Sequence, residues 1–408
     1  MASVKLTTGH KHIHADIDLP LSKSISNRAL MISALSGGLV RPGNLSDADD
    51  TVLLQNLFQQ IAKGEDRKLN SGNAGTVFRF LTAYLAGTEG QWTIGGTERM
   101  KKRPIGPLIH ALKQMGADIT YLEDMGFPPI EISGVEFNGG KVLINPGISS
   151  QFGSALMMIA PMMKDGLEII LTQPPASLSY LNMTASIMRK AGVDIEIDIP
   201  FIRIPGNGYK ECTLPSEPDW SSAAFWYELM ALADRGQILL KGLKKESMQG
   251  DSMLASHFLM LGVGTEYVEG GALLFKSGKV EPYINLDLKA CPDMAPAMIV
   301  TTAALGLNGS FYGLNTLAIK ESDRLEAISV ELGKAGIKTN LGDDSISFQA
   351  QEINIEQPFD TYSDHRLAMT FAPLAILGKA VTIHDPEVVS KSYPGFWKEL
   401  AKILNVEF

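Results

Sequence analysis

Apolar and polar residues follow two helical patterns along this chain, and each pattern recurs six times. The first pattern is amphipathic, with apolar residues on one face only, which predicts helices that pack one face against a core. Its six copies end, in chain order, at Gly64, Gly116, Gly192, Gly262, Gly336 and Asn405. Because glycine, and to a lesser degree asparagine, tolerates the left-handed conformation that ends many helices, we expect these residues just beyond the helix C-termini.

The second pattern is apolar on nearly all sides, as expected of a helix that is buried all round. Its six copies end at Gly38, Gly87, Gly166, Gly236, Gly309 and Gly378. Short β-rich segments such as KVLIN and GQILLKG lie between the helices. Each repeat is therefore a mixed β/α module that carries two helices, and the sequence predicts an α/β fold.

Six modules divide into two lobes of three, and a chain of 408 residues is too long for one hydrophobic core. We place one lobe at residues 20–217 and the other at residues 1–19 plus 218–408. The strand-like segment before the first buried helix is expected, by symmetry, to complete the C-terminal lobe, because the last module stops after its helix at Asn405. The chain then crosses between the lobes twice.

The composition narrows the class of protein. A hydrophobic content of 45% is typical of a globular chain, and a net charge of -9 disfavours nucleic acid or an anionic membrane surface as the main partner. The longest apolar runs are shorter than the roughly 20 residues that span a bilayer. Two cysteines are too few for a disulfide framework, and the first residues lack a signal-peptide pattern, so we expect a cytoplasmic protein.

Cations collect in the turns that begin the buried helices and in a few loops. A cation at a helix N-terminus opposes the helix dipole, and a bound anion removes that conflict. Each turn taken alone is equally well explained as an ordinary helix cap or a surface ion pair. The eight cations are Lys23, Arg28, Arg79, Arg103, Lys320, Arg324, Arg366 and Lys391. Together they predict a strongly anionic substrate.

Few acids and bases accompany these cations. Asp293 in the CPDM turn and Glu321 in KESDR are the candidates for proton transfer, with His365 as a third, although Asp293 alone also fits a helix cap. His10, His12 and His14 alternate on one strand face, an arrangement far more common in exposed strands than in metal sites. The chain has no phosphate-binding loop, dinucleotide fingerprint or zinc-protease helix. We therefore expect no cofactor and no metal.

The segments LPLSKSISNRA, GNAGT, RMKKRPIG, SSQF, KESDR, SDHR and KSYP, in this order and spacing, resemble the 5-enolpyruvylshikimate-3-phosphate synthase family over nearly the whole chain. The resemblance implies a two-lobed inside-out α/β barrel of six βαβαββ repeats, three in each lobe. It also implies an enzyme of the shikimate pathway, which leads to chorismate and the aromatic amino acids. This transferase moves the enolpyruvyl group of phosphoenolpyruvate to the 5-hydroxyl of shikimate 3-phosphate by addition and elimination. The expected partners are these two small molecules, without nucleic acid, membrane or cofactor, and the expected state is a monomer.

The resemblance further implies the residues of the site. The set for shikimate 3-phosphate is Lys23, Ser24, Arg28, Ser149, Ser150, Gln151, Ser177, Tyr180, Asp293 and Lys320. The set for phosphoenolpyruvate is Lys23, Gly75, Arg103, Gln151, Arg324, Arg366 and Lys391. In the family's mechanism Asp293, helped by Lys23, takes the proton of the 5-hydroxyl and Glu321 protonates the methylene carbon, while Lys391 completes the catalytic set.

The sequence departs from the family pattern at Leu21, Phe80, Thr316 and Ala318, where Gly, Pro, Asn and Arg are common. Two alternatives remain. One is a UDP-N-acetylglucosamine enolpyruvyl transferase, but those enzymes carry a Cys before their RP dipeptide and GGTERMKKRP has none. The other is a non-catalytic relative that binds anions, which has no need for Asp293 and Glu321 among so many cations.

Overall fold

The computed structural model of the chain describes residues 2–64 and 66–408, and these residues alternate between helices and strands. The helices are α1 (Lys23–Leu35), α2 (Asp49–Lys63), α3 (Gly75–Ala86), α4 (Glu98–Lys101), α5 (Gly106–Gln114), α6 (Ser150–Ile159), α7 (Leu178–Lys190), α8 (Trp220–Leu232), α9 (Leu254–Leu259), α10 (Ala295–Ala304), α11 (Arg324–Lys334), α12 (His365–Phe371) and α13 (Phe396–Leu400). Short 3-10 helices cover Ala160–Met162, Gly250–Met253, Pro292–Met294, Leu317–Ile319, Ala372–Leu377 and Pro386–Lys391.

The strands occupy the segments between these helices. They are β1 (Ser3–Thr7), β2 (His12–Ile17), β3 (Val40–Pro42), β4 (Lys68–Asn70), β5 (Gln91–Gly95), β6 (Asp118–Tyr121), β7 (Ile130–Ser133), β8 (Gly140–Ile144), β9 (Leu167–Leu171), β10 (Glu196–Asp198), β11 (Phe201–Ile204), β12 (Cys212–Leu214), β13 (Arg235–Lys241), β14 (Leu261–Val268), β15 (Gly271–Val280), β16 (Tyr283–Asp287), β17 (Asn308–Tyr312), β18 (Asn340–Leu341), β19 (Ile346–Phe348), β20 (Val381–His384) and β21 (Asn405–Glu407). This mixture of helices and strands confirms the predicted α/β class.

The chain folds into two compact units. One consists of Ser22–Ser216 and is called the inserted unit. The other joins Met1–Leu21 to Glu217–Phe408 and is called the discontinuous unit. In the discontinuous unit, β2 pairs in parallel with β13, and β1 lies between β20 and β21 with antiparallel pairing to both. The first strands of the chain are thus held by strands that come more than 200 residues later.

Four of the sheets share one topology. Their strand orders are β4-β5-β7-β6, β8-β9-β11-β10, β2-β13-β15-β14 and β16-β17-β19-β18. In each sheet the first two strands are parallel and the other pairs are antiparallel, as for β8 with β9 and β9 with β11. A parallel pair needs a crossover connection, and a helix supplies it between β8 and β9, while a short turn joins β10 to β11. Three of these sheets follow a βαβαββ order along the chain.

The most apolar helices lie inside the units. All 13 residues of α8 are buried, and nine of the ten residues of α10 are buried with it in the core of the discontinuous unit. Aromatic rings fill this core, with the ring of Trp226 5.9 Å from that of Phe396. An apolar helix buried on every side leaves polar residues only at its ends, which is where the candidate chemistry lies. Among the described residues, no helix has both the length and the apolar character needed to cross a membrane.

Several predicted helix ends are confirmed. Gly64, Gly116, Gly192 and Gly336 have positive φ angles and lie within two residues of the ends of α2, α5, α7 and α11. Gly378 has a φ of 88° directly after the 3-10 helix Ala372–Leu377. These glycines end their helices in the left-handed conformation that the sequence predicts.

Four predicted helix ends are wrong. Gly236, Gly262 and Gly309 lie inside strands β13, β14 and β17, and Asn405 begins β21, so the last module does not stop at a helix. Glycine is needed at these strand positions because a neighbouring segment approaches the backbone closely, and not because a helix ends there. A Cβ at residue 236 would lie 1.9 Å from the carbonyl oxygen of Ile13, and one at residue 309 would lie 2.6 Å from the ring of Phe348.

Candidate active site

In the inserted unit, α1 begins with Lys23 and carries three of the predicted site residues. The Lys23 ammonium lies 3.1 Å from the carboxylate of Asp50, and both side chains are largely buried. Ser24 follows in the same first turn, and Arg28 lies one turn further along. Asp50 was not predicted, and no local signal in the sequence links it to Lys23 because it belongs to the start of another helix, α2.

Arg28 is buried and forms no ion pair with any carboxylate in the described part of the chain. Its guanidinium donates hydrogen bonds to the Thr184 hydroxyl at 2.7 Å, to the Ser24 carbonyl at 2.9 Å and to the Ser154 hydroxyl at 3.2 Å. The guanidinium also lies 5.8 Å from the ring centre of Tyr180. Burial lowers the pKa of Arg28 to about 10, and the electrostatic interaction with Tyr180 only partly opposes this effect. A buried cation in this state is suited to an anionic ligand.

Two further arginines lie beside the starts of α3 and α6. Arg79 donates to the side-chain oxygen of Gln151 at 2.6 Å and to the Pro104 carbonyl at 3.2 Å. Arg103 donates to the Asn73 carbonyl at 3.2 Å. Gly75 is the first residue of α3, and a Cβ there would lie 2.6 Å from a terminal nitrogen of Arg103. The guanidinium of Arg103 therefore packs directly against the helix start because residue 75 has no side chain.

The predicted serines lie at the starts of α6 and α7. Ser149 caps α6, where its hydroxyl accepts a hydrogen bond from the backbone N–H of Gln151, and Ser150 is the buried first residue of the helix. Ser177 precedes α7, with its hydroxyl 2.8 Å from that of Ser179. The contacts of Arg28 and Arg79 join these helix starts to those of α1 and α3. The inserted unit thus brings its predicted residues into one cluster of helix N-termini and arginines.

In the discontinuous unit, Asp293 lies in the 3-10 helix before α10 and is surrounded by cations. Its carboxylate lies 3.3 Å from a guanidinium nitrogen of Arg324, 3.4 Å from one of Arg366 and 3.6 Å from the ammonium of Lys320. The Arg366 guanidinium also donates to the Asp293 carbonyl at 3.0 Å. Burial lowers the pKa of Lys320, and the negative charge of Asp293 only partly opposes this effect.

Arg324 is the centre of this second cluster and is almost fully buried. Its guanidinium donates to Asp364 at 2.9 and 3.2 Å and to Glu321 at 3.1 Å, besides its contact with Asp293. Burial alone would lower the pKa of Arg324, but the three carboxylates outweigh burial and raise it. Lys391 lies 3.4 Å from the second oxygen of Glu321. Each predicted cation of this unit is therefore close to a carboxylate.

Two acidic residues of this unit escaped the sequence analysis. Asp364 caps α12 by accepting a hydrogen bond from the backbone N–H of Arg366, which fits a local pattern, but its bidentate contact with Arg324 depends on packing across 40 residues. Asp251 is buried and accepts a hydrogen bond from Ser221. Burial, and then the nearby charge of Asp293, raise the pKa of Asp251 to about 6. Its QGD segment carries no recognisable motif, and Asp251 lies in the short 3-10 helix Gly250–Met253 between β13 and α9.

The histidine candidates lie in two different places. His365 is buried in the first turn of α12, with a ring nitrogen 3.8 Å from Asp364. His12 lies on the exposed face of β2, where both ring nitrogens are 3.1 Å from the guanidinium of Arg235. Within residues 2–64 and 66–408, no group of three or more His, Cys, Asp or Glu side chains is arranged to hold a metal ion.

The four residues that depart from the family pattern differ in burial and in their neighbours. Phe80 is fully buried in α3, and its ring centre lies 5.5 Å from the guanidinium carbon of Arg28. Thr316 is buried, and its hydroxyl has no hydrogen-bond partner among the described residues. Leu21 forms an isolated bridge with Pro218, and Ala318 is exposed. The ring of Phe80 thus packs against Arg28, a residue of the predicted site.

Comparison with known proteins identifies the family. The chain matches the family model of EPSP synthase (3-phosphoshikimate 1-carboxyvinyltransferase) over residues 7–400. It is 43% identical to a 3-phosphoshikimate 1-carboxyvinyltransferase of Bacteroides fragilis over 401 residues, which cover 97% of each chain. A protein of the same name from Photobacterium damsela subsp. piscicida is 35% identical over 420 residues, covering 96% of this chain and 97% of the relative.

Solved structures agree on the fold. An EPSP synthase from Acinetobacter baumannii matches with a TM-score of 0.78 at 21% identity, and the match covers 100% of both chains. This likeness confirms the two-lobed inside-out α/β barrel as the fold. Sequence identity over almost the full length of the curated relatives carries the assignment further: the chain belongs to the EPSP synthase family.

Proposed function

We infer that this enzyme transfers the enolpyruvyl group of phosphoenolpyruvate to the 5-hydroxyl of shikimate 3-phosphate and releases phosphate. It is a transferase of the shikimate pathway, which leads to chorismate and the aromatic amino acids. The observation that carries the inference beyond the family match is Arg28, a buried cation with no carboxylate partner beside several helix N-termini. The nucleotide-sugar alternative is not favoured, because the matching family model and the curated relatives bear the shikimate name.

In this proposal the inserted unit supplies most of the groups that bind shikimate 3-phosphate. The phosphate takes the two N–H groups of Arg28 that remain after its three hydrogen bonds, together with the hydroxyls of Ser149 and Ser150. Ser24, Gln151, Ser177 and Tyr180 complete the set in this unit. Asp293 and Lys320 of the discontinuous unit bind the ring hydroxyls, since a carboxylate accepts and an ammonium donates.

Phosphoenolpyruvate carries a carboxylate and a phosphate, and both groups are bound best by arginine and by helix N-termini. We assign Arg103, Gly75 and Gln151 of the inserted unit to this substrate. Lys23 is assigned to both substrates. Arg324, Arg366 and Lys391 of the discontinuous unit complete the set. Gly75 acts through its backbone and through the space that it leaves for Arg103.

Proton transfer falls to the carboxylates of the discontinuous unit. In the addition step Asp293, helped by Lys23, takes the proton of the 5-hydroxyl, whose oxygen bonds to carbon 2 of phosphoenolpyruvate while Glu321 protonates carbon 3. In the elimination step carbon 3 returns its proton to Glu321, the double bond re-forms, the bond to phosphate breaks and phosphate leaves with the proton that Asp293 took. Glu321 is paired with Arg324 and Lys391. An anionic substrate that engages these two cations competes with Glu321 for them.

Phosphate release tests the activity directly. The purified chain, without added metal, should release phosphate from phosphoenolpyruvate when shikimate 3-phosphate is present and should not when UDP-N-acetylglucosamine replaces it. Activity with the nucleotide sugar, or a strict need for a divalent ion, contradicts the proposal.

Two isosteric variants test the proton transfers. Asp293→Asn and Glu321→Gln should each lower kcat by about 10²- to 10⁴-fold while shikimate 3-phosphate still binds in a calorimeter. Asp343→Asn, an exposed carboxylate of the same unit, is the matched control and should leave kcat unchanged. Near-normal turnover in either variant removes that residue from the mechanism.

We further propose that the enzyme works in the cytoplasm as a monomer. Light scattering after gel filtration should give a mass near 44.2 kDa at all concentrations tested. A mass of twice that value would contradict the monomer.

A further inference from the structure

A cavity of about 530 Å³ opens in the inserted unit at the C-terminal ends of three helices. Ala34 and Leu35 end α1, Tyr84 lies in the last turn of α3, and Ile159 ends α6. The loop that follows β7 closes another side with Val135 and Phe137. These helix ends are opposite to the ones that begin with Lys23, Gly75 and Ser150, so the cavity is separate from the candidate active site.

The lining of the cavity combines apolar walls with negative charge. Leu35, Val135, Phe137, Ile159 and Met163 are apolar, and Tyr84 adds an aromatic ring. Glu89 and Glu136 also line the cavity, whereas no lysine or arginine does. Both glutamates are exposed, and neither forms an ion pair with any residue that the structure describes.

The helix ends add to this charge. The C-terminus of a helix carries a partial negative charge that attracts cations, and three helices end at the cavity. The cavity volume falls in the range of small-molecule sites, which are concave and mostly apolar with a few polar groups. Aromatic rings and methionine sulfur are favourable neighbours for a cation and for a ring, respectively.

We propose that this cavity binds a small organic cation, an ammonium group on an apolar body about the size of a phenyl ring with a short chain. The ammonium group lies on the side of Glu89 and Glu136, and the apolar body packs against Phe137, Ile159 and Met163. An anion of the same shape meets the two carboxylates and the helix C-termini and is rejected.

Two probes of similar size and opposite charge test the ligand class. Titration of the full-length chain with 2-phenylethylammonium should give an affinity at least about tenfold higher than titration with 3-phenylpropionate, and the preference should shrink as salt is added. The double variant Glu89→Gln with Glu136→Gln should weaken binding of the ammonium probe about fivefold or more. Equal binding of the two probes, or no binding of the ammonium probe at about 10 mM, overturns the proposal.

A second pair of variants tests the location. Met162 lines the cavity and is 50% exposed, so Met162→Arg brings a cation to the rim without disturbing the core. This variant should abolish binding of the ammonium probe. Met125→Arg, at an 83% exposed position of the same unit outside the lining, is the matched control and should bind as the parent does. If Met162→Arg binds the probe as well as its control does, the cavity is not the site.

Discussion

Arg28 and Arg324 lie near the starts of helices in the two units and are both buried, yet their surroundings differ. Arg28 donates to two hydroxyls and a carbonyl, and no carboxylate pairs with it. Arg324 contacts Asp293, Glu321 and Asp364. A buried cation without a counter-ion carries a desolvation penalty of several kcal/mol, whereas a paired one recovers much of that penalty. Arg28 of the inserted unit is therefore prepared for an anion, whereas Arg324 of the discontinuous unit already holds three carboxylates in place.

The largest expected effect is on the stability of the discontinuous unit. Arg324→Met leaves Asp364, Asp293 and Glu321 without their shared cation, and breaking a buried ion pair in this way costs about 3–5 kcal/mol in free energy of unfolding. Urea unfolding followed by tryptophan fluorescence measures it, since Trp220, Trp226 and Trp397, three of the four tryptophans, lie in this unit.

The exposed Arg235 of the same unit supplies the control, and Arg235→Met should change the unfolding free energy by less than about 0.5 kcal/mol. A loss of similar size in both variants would show that the destabilisation does not come from the carboxylates left without Arg324.

Asp251 sharpens the comparison, because it is a buried acid of the discontinuous unit whose pKa rises to about 6. The folded state then holds a proton that the unfolded state, with its ordinary value near 3.8, has already released. Stability therefore falls as the pH rises from about 4 to about 6 and stays low above that range. Asp251→Asn stays neutral throughout, so it should be more stable than the parent by about 1–3 kcal/mol at pH 7.5.

The same variant should match the parent near pH 3, below the ordinary value of 3.8, where Asp251 is protonated in both states. Chemical unfolding at the two pH values measures the difference, with Asp343→Asn as the exposed control. A gain that is equal at both pH values would contradict the assigned titration.

The sequence predicts where the buried helices lie and that most of the cations lie near helix starts, because both features depend on the local pattern of residues. The predicted helix ends at Gly236 and Gly309 are wrong, because glycine permits a close contact within a sheet as readily as it ends a helix. Only the neighbouring strand distinguishes the two uses. The sequence does not predict the pairing of Arg324 with Asp364 for a similar reason. Both residues fit local helix starts, and their contact arises from the packing of α10, α11 and α12.

A substitution of Arg28 tests the inserted unit in the same way. Arg28→Met removes the cation that we assign to the phosphate of shikimate 3-phosphate, and the loss of hydrogen bonds to a charged group should raise its Kd about 10- to 100-fold. The free energy of unfolding should not fall as it does in Arg324→Met, because no buried carboxylate loses a partner. Calorimetry and urea unfolding measure the two effects, and the exposed Arg41→Met is the control. A destabilisation as large as that of Arg324→Met would erase the distinction between the units.

The smallest expected effect concerns one helix start of the inserted unit. A Cβ at residue 75 would lie 2.6 Å from a terminal nitrogen of Arg103 and 2.7 Å from the guanidinium carbon, so Gly75→Ala has to displace that side chain. Arg103 is assigned to phosphoenolpyruvate, and the displacement should raise the KM for that substrate about tenfold. The affinity for shikimate 3-phosphate should change less than about twofold, because Arg28 and Ser150 keep their places.

The matched control is Gly106→Ala, at a helix start of the same unit, where an added Cβ meets only ordinary contacts at 3.5 Å and beyond. Steady-state kinetics with each substrate varied in turn separates the two constants. If Gly75→Ala weakened both substrates equally, Arg103 and Arg28 would form a single anion site. If the KM for phosphoenolpyruvate rises alone, the two arginines serve different anions, and the inserted unit divides its cations between the substrates as the discontinuous unit divides its carboxylates between the two proton transfers.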